Sequence, residues 1–290
     1  MKSLFYSHFF ILLPWILIVI IMIDIDTKRT VRRTTNFYLS RFSKPQRTFL
    51  PTIYAITPTY RRAVQKAELT RLSNTFRLVP SFHWIVVEDS NARTELVSRF
   101  LARSGLQYTH LYVPTPRRYK RPGMPRATEQ RNAALGWLRT HRSPKDSGVV
   151  FFADDDNTYS VELFDEMRTT QRVSVWPVGL VGGRRYERPL VDKGRVVGWY
   201  TGWKANRPFP IDMAGFAVNL QVVLRSPRGL FKRLGSKPGM QESDFLKQIT
   251  RVDELEPRAA NCTQVLVWHT RTEKVNLGNE RWKDAVQIEV

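Results

Sequence analysis

Between residues 52 and 153 the chain alternates short apolar segments with longer segments of helical periodicity. The apolar segments predict strands at Thr52–Thr57, His83–Glu88, Tyr108–Val113 and Gly148–Ala153. The segments between them predict helices at about Ala63–Phe76, Glu95–Ser104 and Ala127–Thr140. Strands that alternate with helices in this way are typical of a largely parallel sheet covered by helices, so the sequence predicts an α/β fold.

Polar residues follow three of the predicted strands at the point where each strand ends. In open α/β sheets, ligands bind in the crevice beyond the carboxyl ends of the strands. We therefore expect a nucleotide near the segments Pro58-Thr59-Tyr60, Glu88-Asp89 and Asp154-Asp155-Asp156.

The second half of the chain carries more strand signal and more irregular sequence. Its apolar runs predict strands at Val173–Val181, Val196–Trp203, Ile211–Asn219 and Val265–His269, and a short helix at Glu242–Thr250. We expect one continuous domain in two parts, a nucleotide-binding part over residues 51–160 and an acceptor-binding part over residues 161–290.

The N-terminal residues predict a membrane anchor. Residues 4–23 are almost wholly apolar, and a helix of that length spans about 30 Å, the hydrocarbon thickness of a bilayer. The anchor would follow a cytoplasmic tail (1–3) and precede a basic stem (24–50). A cleavable signal peptide is the alternative, although bulky residues continue up to Asp24 where small ones are expected. The positive charge after the span argues, by the positive-inside rule, against a lumenal C-terminal domain.

The charge of the chain favours anionic partners without choosing among them. The net charge is +20, so nucleic acid, acidic glycans, nucleotide diphosphates and anionic membranes all remain open. The single cysteine, Cys262, excludes an intrachain disulfide.

The three adjacent aspartates are the strongest local signal of chemistry. Asp154, Asp155 and Asp156 repel one another unless a cation neutralises them, and oxygen ligands suit Mg²⁺ or Mn²⁺. A solvated acidic turn is the alternative. Arg126 and Arg131, near a predicted helix start, are suited to bind the phosphates of a nucleotide. The sequence has no Walker-type glycine loop, so ATP hydrolysis and NAD chemistry are not expected.

From about residue 53 to residue 274 the chain closely resembles the beta-1,3-glucuronosyltransferases of glycosyltransferase family 43. The similarity is carried by TPTYRR (57–62), QKAELTRL (65–72), HWIVVED (83–89), FFADDDNTYS (151–160), SVWPVGLVGG (174–183), DMAGFAVNL (212–220), LEPRAANCT (255–263) and VLVWHTRTEK (265–274). The resemblance implies a GT-A type α/β fold, with a Rossmann-like nucleotide-binding half and a mixed-sheet acceptor-binding half.

The resemblance also implies a role for individual residues. Asp156 matches the manganese ligand, and Glu242 matches the catalytic base. The positions that match donor-binding residues are Pro58, Tyr60, Asp89, Arg126, Arg131, Asp154, Asp155, His269 and Arg271. The positions assigned to the acceptor side are Glu187, Trp203, Arg207 and Asp212. Asn261 begins a glycosylation sequon, Asn261-Cys262-Thr263, which is usable if the domain is lumenal.

The function that the resemblance implies is an inverting transfer of glucuronic acid from UDP-glucuronate to the 3-hydroxyl of a terminal galactose, with Mn²⁺ as cofactor. The acceptor would be the galactose–galactose–xylose linker of proteoglycans, or alternatively N-acetyllactosamine of glycoproteins. The family's organisation implies a homodimer and a single-pass type II protein of the Golgi membrane with a lumenal catalytic domain. A non-catalytic basic protein that binds glycans or nucleic acid is the alternative of a different class, although only the charge favours it; nucleic acid is not an expected partner.

Overall fold

A computed structural model describes residues 50–121, 124–204, 206–233, 236, 239–278 and 288–289. The predicted cytoplasmic tail, the predicted membrane anchor and all but the last residue of the predicted stem lie outside the described residues. Over those described ranges, no helix is both long enough and apolar enough to cross a bilayer.

The strands of the domain, numbered in chain order, are mostly short. Strands β1 to β6 are Thr52–Thr59, Phe82–Glu88, Gln107–Tyr112, Gly148–Phe152, Thr158–Tyr159 and Val173–Val175. Strands β7 to β12 are Val178–Gly179, Tyr186–Asp192, Arg195–Tyr200, Phe216–Asn219, Leu255–Pro257 and Val267–Trp268.

The helices lie between these strands. Helices α1 to α6 are Gln65–Phe76, Glu95–Arg103, Thr128–His141, Val161–Met167, Leu220–Arg225 and Gln241–Leu246. Single 3₁₀ turns occur at Arg117–Tyr119, Met213–Gly215 and Val252–Glu254.

The main sheet confirms the predicted parallel core. Its order is β11-β6-β10-β4-β1-β2-β3, and the four strands predicted in the first half pair in parallel as β4-β1-β2-β3. Strand β10 is antiparallel to both of its neighbours, β4 and β6. A second, mixed sheet follows the order β5-β12-β7-β8-β9. The α/β fold expected from the sequence is therefore present.

Apolar residues of β1 enter two cores, one on each face of the main sheet. Ile53 and Ala55 pack on the face covered by α1, α2 and α4, whereas Tyr54 and Ile56 pack on the face covered by α3, α5 and α6. Successive side chains of a strand point to opposite faces, so a strand that is buried on both faces has an unbroken apolar sequence. This explains why the first four strands are recognisable from sequence alone.

The second half departs from the predicted elements. The run predicted as one strand at Val173–Val181 is two short strands, β6 and β7, in different sheets. The strand predicted at Ile211–Asn219 contains only β10, because the Asp212 side chain accepts the Ala214 backbone N–H and caps a 3₁₀ turn. The strand Tyr186–Asp192 was not predicted. The predicted helix Glu242–Thr250 begins one residue earlier and ends at Leu246.

The sequon lies on a turn of unusual handedness. The residues Ala259, Ala260, Asn261 and Cys262 all have positive φ, between 53° and 59°. Non-glycine residues adopt this left-handed conformation as isolated residues far more often than in runs. The Asn261 side chain is exposed, whereas Cys262 is buried and its Sγ donates to the Val175 carbonyl at 3.4 Å. Burial raises the pKa of the Cys262 thiol to about 12, so this residue is an unreactive packing group.

The boundary predicted at residue 160 stays a prediction. Residues 50–290 cluster as one unit, and the main sheet continues across the boundary because β10 of the second half pairs with β4 of the first.

Phe152 tests the core on the face covered by α3, α5 and α6. It is fully buried and its ring contacts the rings of Phe216, Phe231 and Phe245. We expect Phe152→Ala to lower the free energy of unfolding by about 3–5 kcal/mol, because it leaves a cavity among aromatic rings. Leu78→Ala, at a residue 64% exposed, is the control and should change stability by less than about 0.5 kcal/mol in urea denaturation. Similar losses in both variants would contradict the placement of this core.

Candidate active site

The carboxyl ends of β1, β2 and β4 bring three predicted site segments to one edge of the main sheet. The Asp89 backbone N–H donates to the Thr59 carbonyl at 2.8 Å, and the Ala153 N–H donates to the Ile56 carbonyl at 2.9 Å. The residues that follow each strand are therefore neighbours. This confirms that the polar ends of the predicted strands share one edge.

Three of the predicted donor-binding residues, Pro58, Tyr60 and Asp89, border one side of this edge. Asp89 accepts hydrogen bonds from the Thr115 backbone N–H at 2.7 Å and from Lys120 Nζ at 3.2 Å. Tyr60 is 55% exposed, while Pro58 is buried within β1. An exposed tyrosine ring beside a carboxylate offers a flat apolar face and a hydrogen-bond acceptor to a base.

Glu88, which we expected to face a nucleotide, is instead buried in a structural network. Its carboxylate accepts from His110 Nε2 at 2.5 Å and from the Thr94 backbone N–H at 2.9 Å. Those hydrogen bonds outweigh burial and hold the pKa of Glu88 below its usual range. Glu88 therefore helps to hold the start of α2 on the sheet and is not available to a ligand.

The first two aspartates of the triplet are each paired with an arginine. Asp154 Oδ1 lies 2.6 Å from Nη2 of Arg131, which is in the first turn of α3. Asp155 Oδ2 lies 2.7 Å from Nη2 of Arg62, in the segment after β1. Burial raises the pKa of Asp155 to about 6, and the Arg62 charge opposes that rise. The sequence singled out Arg131 as a candidate to bind phosphates, which stays a prediction, and it did not single out Arg62.

Among the described residues Asp156 has no arginine or lysine ion pair like those of its two neighbours. Burial raises the pKa of its carboxyl, and the nearby Asp154 adds to the rise. Its backbone carbonyl is held by Arg71 Nη2 at 3.0 Å and by the Thr270 hydroxyl at 2.5 Å. Within the ranges that the structure describes, no three His, Cys, Asp or Glu side chains converge as a complete metal site. Carboxylate oxygens are ligands that suit a hard cation, so Asp156 is a candidate ligand and not by itself a metal site.

Glu242 lies at the start of α6, as predicted. Its Oε2 is 3.7 Å from Arg207 Nη1, and its side chain keeps 16% of its surface exposed. Burial and, after it, the negative charge of Asp212 raise the pKa of Glu242 to about 7, against the opposing charges of Arg207 and Arg131. Since Arg131 also pairs with Asp154, one arginine connects the candidate base with the aspartate triplet.

Asp212 and His269 meet between the two sheets. His269 Nδ1 is 3.6 Å from Asp212 Oδ2 and finds no hydrogen-bond partner among the described residues. Burial raises the pKa of Asp212, while the charge of His269 lowers it. A histidine that follows an apolar strand is usually buried in the core. The His269 side chain is instead partly exposed.

Glu187 and Trp203 are the remaining residues predicted for the acceptor side. Glu187 is buried and accepts from the Thr201 hydroxyl at 2.7 Å and from the Gly202 N–H at 2.6 Å. Trp203 is 42% exposed, and the Arg207 guanidinium lies 4.7 Å from the centre of its ring. An exposed indole next to buried carboxylates is a platform on which a sugar ring can stack.

Two open cavities are lined by some of these groups. The first, of about 440 Å³, is lined among others by Tyr60, Arg62, Glu68, Asp155, Asp156 and Arg271. The second, of about 530 Å³, is lined by Leu180, Val181, Gly182, Gly183, Asp212, His269, Thr270 and Arg271. Arg271 lines both cavities, so it can contact ligands in either. Arg126 is exposed beside the start of α3, and its carbonyl accepts from Arg131 Nη1 at 3.1 Å.

The fold and the site together define an α/β protein with a candidate nucleotide site at the ends of its parallel strands and a candidate base, Glu242. A sequence profile of glycosyltransferase family 43 matches residues 72–273. Galactosylgalactosylxylosylprotein 3-beta-glucuronosyltransferase 2 of Homo sapiens is 66% identical over 323 aligned positions, which cover 100% of this chain and 100% of that protein. Galactosylgalactosylxylosylprotein 3-beta-glucuronosyltransferase 1 of Homo sapiens is 58% identical over 240 positions, or 80% of this chain and 72% of that protein.

Among solved structures, residues 1–349 of S. aureus TarS match with a TM-score of 0.47 and 16% identity, over 76% of this chain and 60% of that chain. That likeness is too distant to carry an inference. The profile and the relatives show that the chain belongs to glycosyltransferase family 43, and they confirm the predicted enzyme class and GT-A type of α/β fold.

Two neighbouring glycines test whether the position of Glu187 matters. Both have positive φ, 62° at Gly182 and 70° at Gly183, so alanine is similarly strained at either. A Cβ at Gly182 would lie 1.9 Å from Glu187 Oε1, whereas a Cβ at Gly183 meets nothing within 4 Å. We expect Gly182→Ala to lower kcat/KM for glycosyl transfer by about tenfold or more, because it displaces the carboxylate.

The matched control is Gly183→Ala, which should lose a similar amount of thermal stability and keep kcat/KM within about twofold. Equal activity in the two variants would mean that Glu187 does not position the acceptor.

Proposed function

We propose that the chain transfers glucuronic acid, with inversion, from UDP-glucuronate to the 3-hydroxyl of a terminal galactose. The acceptor in this proposal is the galactose–galactose–xylose linker of a proteoglycan. The names of the two relatives support the donor sugar and the acceptor, and the 66% identity to one of them extends over the whole chain.

One observation carries the proposal. Glu242 has a pKa of about 7, and it shares Arg131 as a charge neighbour with Asp154 of the triplet. A general base works best when its pKa is close to the working pH, and it must lie near both the acceptor and the reacting sugar. Of the carboxylates at this edge, Glu242 combines that pKa with partial exposure toward the acceptor side.

In the reaction, the Glu242 carboxylate removes the proton of the acceptor 3-hydroxyl as its oxygen attacks C1 of glucuronate. The bond between C1 and the β-phosphate oxygen breaks, and UDP leaves with the bonding electrons. Arg207, 3.7 Å from Glu242, holds the base in place and balances its charge before the proton arrives. Trp203 orients the acceptor ring, and Glu187 and Asp212 accept hydrogen bonds from acceptor hydroxyls.

The donor lies along the edge where the parallel strands end. Tyr60 stacks on uracil, and Pro58 and Asp89 complete the base pocket. Arg126, Arg131, His269 and Arg271 surround the phosphates and the sugar carboxylate, while Asp154 and Asp155 contact the donor sugar and the ribose. Positive side chains at this place stabilise the charge that develops on the departing diphosphate.

Asp156 is the residue that would hold Mn²⁺, because it is the aspartate of the triplet that has no arginine or lysine ion pair among the described residues. When bound, the ion supplies positive charge to the diphosphate oxygens. We also propose the cellular setting expected from the sequence, a type II Golgi membrane protein with a lumenal domain, forming a homodimer and glycosylated at Asn261. The exposure of Asn261 supports the last point.

Glu242→Gln tests the assignment of the base. We expect it to reduce transfer from UDP-glucuronate by at least about 100-fold, because an amide cannot accept the proton, and to leave the Kd for UDP unchanged. Release of UDP is measured with Mn²⁺ and with a chelator, using the linker trisaccharide and N-acetyllactosamine as acceptors. Loss of UDP binding in the variant would show that the base is misassigned, and preference for N-acetyllactosamine would replace the proposed acceptor.

The raised pKa of Glu242 also predicts an effect on stability. A carboxyl whose pKa is higher in the folded state than its usual value near 4.5 stabilises the fold at low pH, and this contribution is lost as pH rises through about 7. Glu242→Gln should therefore raise the melting temperature relative to the wild type by a few degrees at pH 8 and by less at pH 5. A constant difference across this range of pH would contradict the raised pKa.

A further inference from the structure

Glu68 is a buried carboxylate on α1 that borders the cavity of about 440 Å³ without belonging to the predicted site. The residue is 2% exposed. Its Oε2 pairs with Arg62 Nη2, and its Oε1 accepts a hydrogen bond of 2.5 Å from the Thr272 hydroxyl. Each carboxylate oxygen thus holds a different segment of the chain.

Arg62 transmits the position of Glu68 to one wall of the cavity. The Arg62 guanidinium lies 4.4 Å from the centre of the Tyr60 ring, and Nη1 donates to the Tyr60 carbonyl at 3.0 Å. The same guanidinium contacts Asp155 Oδ2 at 2.7 Å. Arg62 therefore covers one face of the exposed Tyr60 ring and leaves the other face for a base.

Thr272 transmits the position of Glu68 to the opposite wall. It directly follows Arg271, and residues 271–275 line the same cavity. Glu68 and Thr272 are 204 residues apart in sequence, so their hydrogen bond joins the end of the described domain to its first helix. One carboxylate consequently connects both walls of the cavity.

Stability alone does not account for a carboxylate at this position. The neighbouring Leu69, Leu72 and Phe76 of α1 are buried in the core, so an apolar residue could be buried here too. A buried ion pair is often no more stabilising than apolar residues of the same size, because the charges lose their hydration. The benefit of Glu68 is therefore geometric.

We propose that Glu68 is a positioning residue for the nucleotide part of the donor, acting through Arg62 on Tyr60 and through Thr272 on the segment that contains Arg271. This inference rests on the proposed function, which places the nucleotide in this cavity. Glu68 itself does not touch the reacting atoms.

The test is Glu68→Gln, measured by UDP titration calorimetry with Mn²⁺ and by steady-state kinetics. Glutamine can still accept from Thr272 but loses the charge that holds Arg62. We expect the Kd for UDP and the KM for UDP-glucuronate to rise about tenfold, as for loss of one charged hydrogen bond, while kcat changes by less than about threefold. A fall in kcat at unchanged KM and Kd would overturn the proposal.

Two further variants test the contacts of Glu68 with Thr272 and with Arg62 separately. Thr272→Val keeps the shape and removes the hydroxyl, and it should raise the Kd for UDP about threefold. In an Arg62→Ala background, Glu68→Gln should add less than about twofold, because its effect passes through Arg62. Full additivity of the two changes would overturn this route. If Glu68→Gln does not fold, the Kd for UDP of Thr272→Val tests the proposal in its place. A Kd equal to that of the wild type would then overturn the proposal.

Glu95→Gln is the matched control, since Glu95 on α2 also pairs with an arginine, Arg99, but its side chain is 73% exposed. It should leave both UDP affinity and kcat unchanged, and an equal loss in this variant would overturn the proposal. The two proposals fail in different ways. If the wild-type protein binds no UDP, the proposed function is refuted. If the wild type binds UDP and Glu68→Gln binds it equally tightly, only the role of Glu68 is refuted.

Discussion

Compensation of carboxylates by arginines at the ends of parallel strands is the constraint on which the site depends. Three aspartates follow β4 after Ala153, and adjacent carboxylates that are largely buried are costly unless a positive charge lies close by. Each arginine comes from a different part of the chain: Arg131 from α3 reaches Asp154, and Arg62 from the segment after β1 reaches Asp155. Bringing α3 and the segment after β1 to the end of β4 is therefore what makes the aspartate triplet tolerable.

The arginines do not compensate every carboxylate of the site. The carboxylates whose pKa values stay raised lie where the reaction is proposed. The pKa values of Asp156, Asp212 and Glu242 are all raised, mainly by burial, so each carboxyl holds its proton more tightly than in water. A domain selected only for stability would remove or pair these groups. Perturbed carboxyls that cluster in a cleft are typical of sites that bind cations or transfer protons. Under the proposed function, a cation bound at this edge of the sheet would offset the cost of these carboxylates.

The sequence predicted the first half of the fold well because its signals are local. Strands buried on both faces give continuous apolar runs, and the residues after such strands, such as Asp89 and Asp154, meet at one edge in any parallel sheet. The second half depends on contacts between distant residues. Glu242 is placed by its neighbour Ser243, whose hydroxyl donates to the Phe209 carbonyl at 2.8 Å, and no local pattern announces that contact. The family resemblance identified Glu242 as the candidate base, because the periodicity of apolar residues in the sequence does not single it out.

Glu88 and Glu68 show the limit of arguing from position alone. Glu88 ends a parallel strand, where a ligand contact is expected, yet His110 and Thr94 take up its carboxylate from inside the domain. Glu68 lies within a helix, where no ligand contact is expected, yet it borders the cavity of about 440 Å³. The sequence did contain a signal for Glu68, because it falls on the buried side of α1 beside Leu69 and Leu72. A charged residue on the apolar side of an amphipathic helix requires a partner, and here the partner, Arg62, lies in the same motif as Tyr60. A charged residue on the buried face of a predicted helix is therefore a candidate positioning residue. Inspection of the strand ends alone does not reveal such residues.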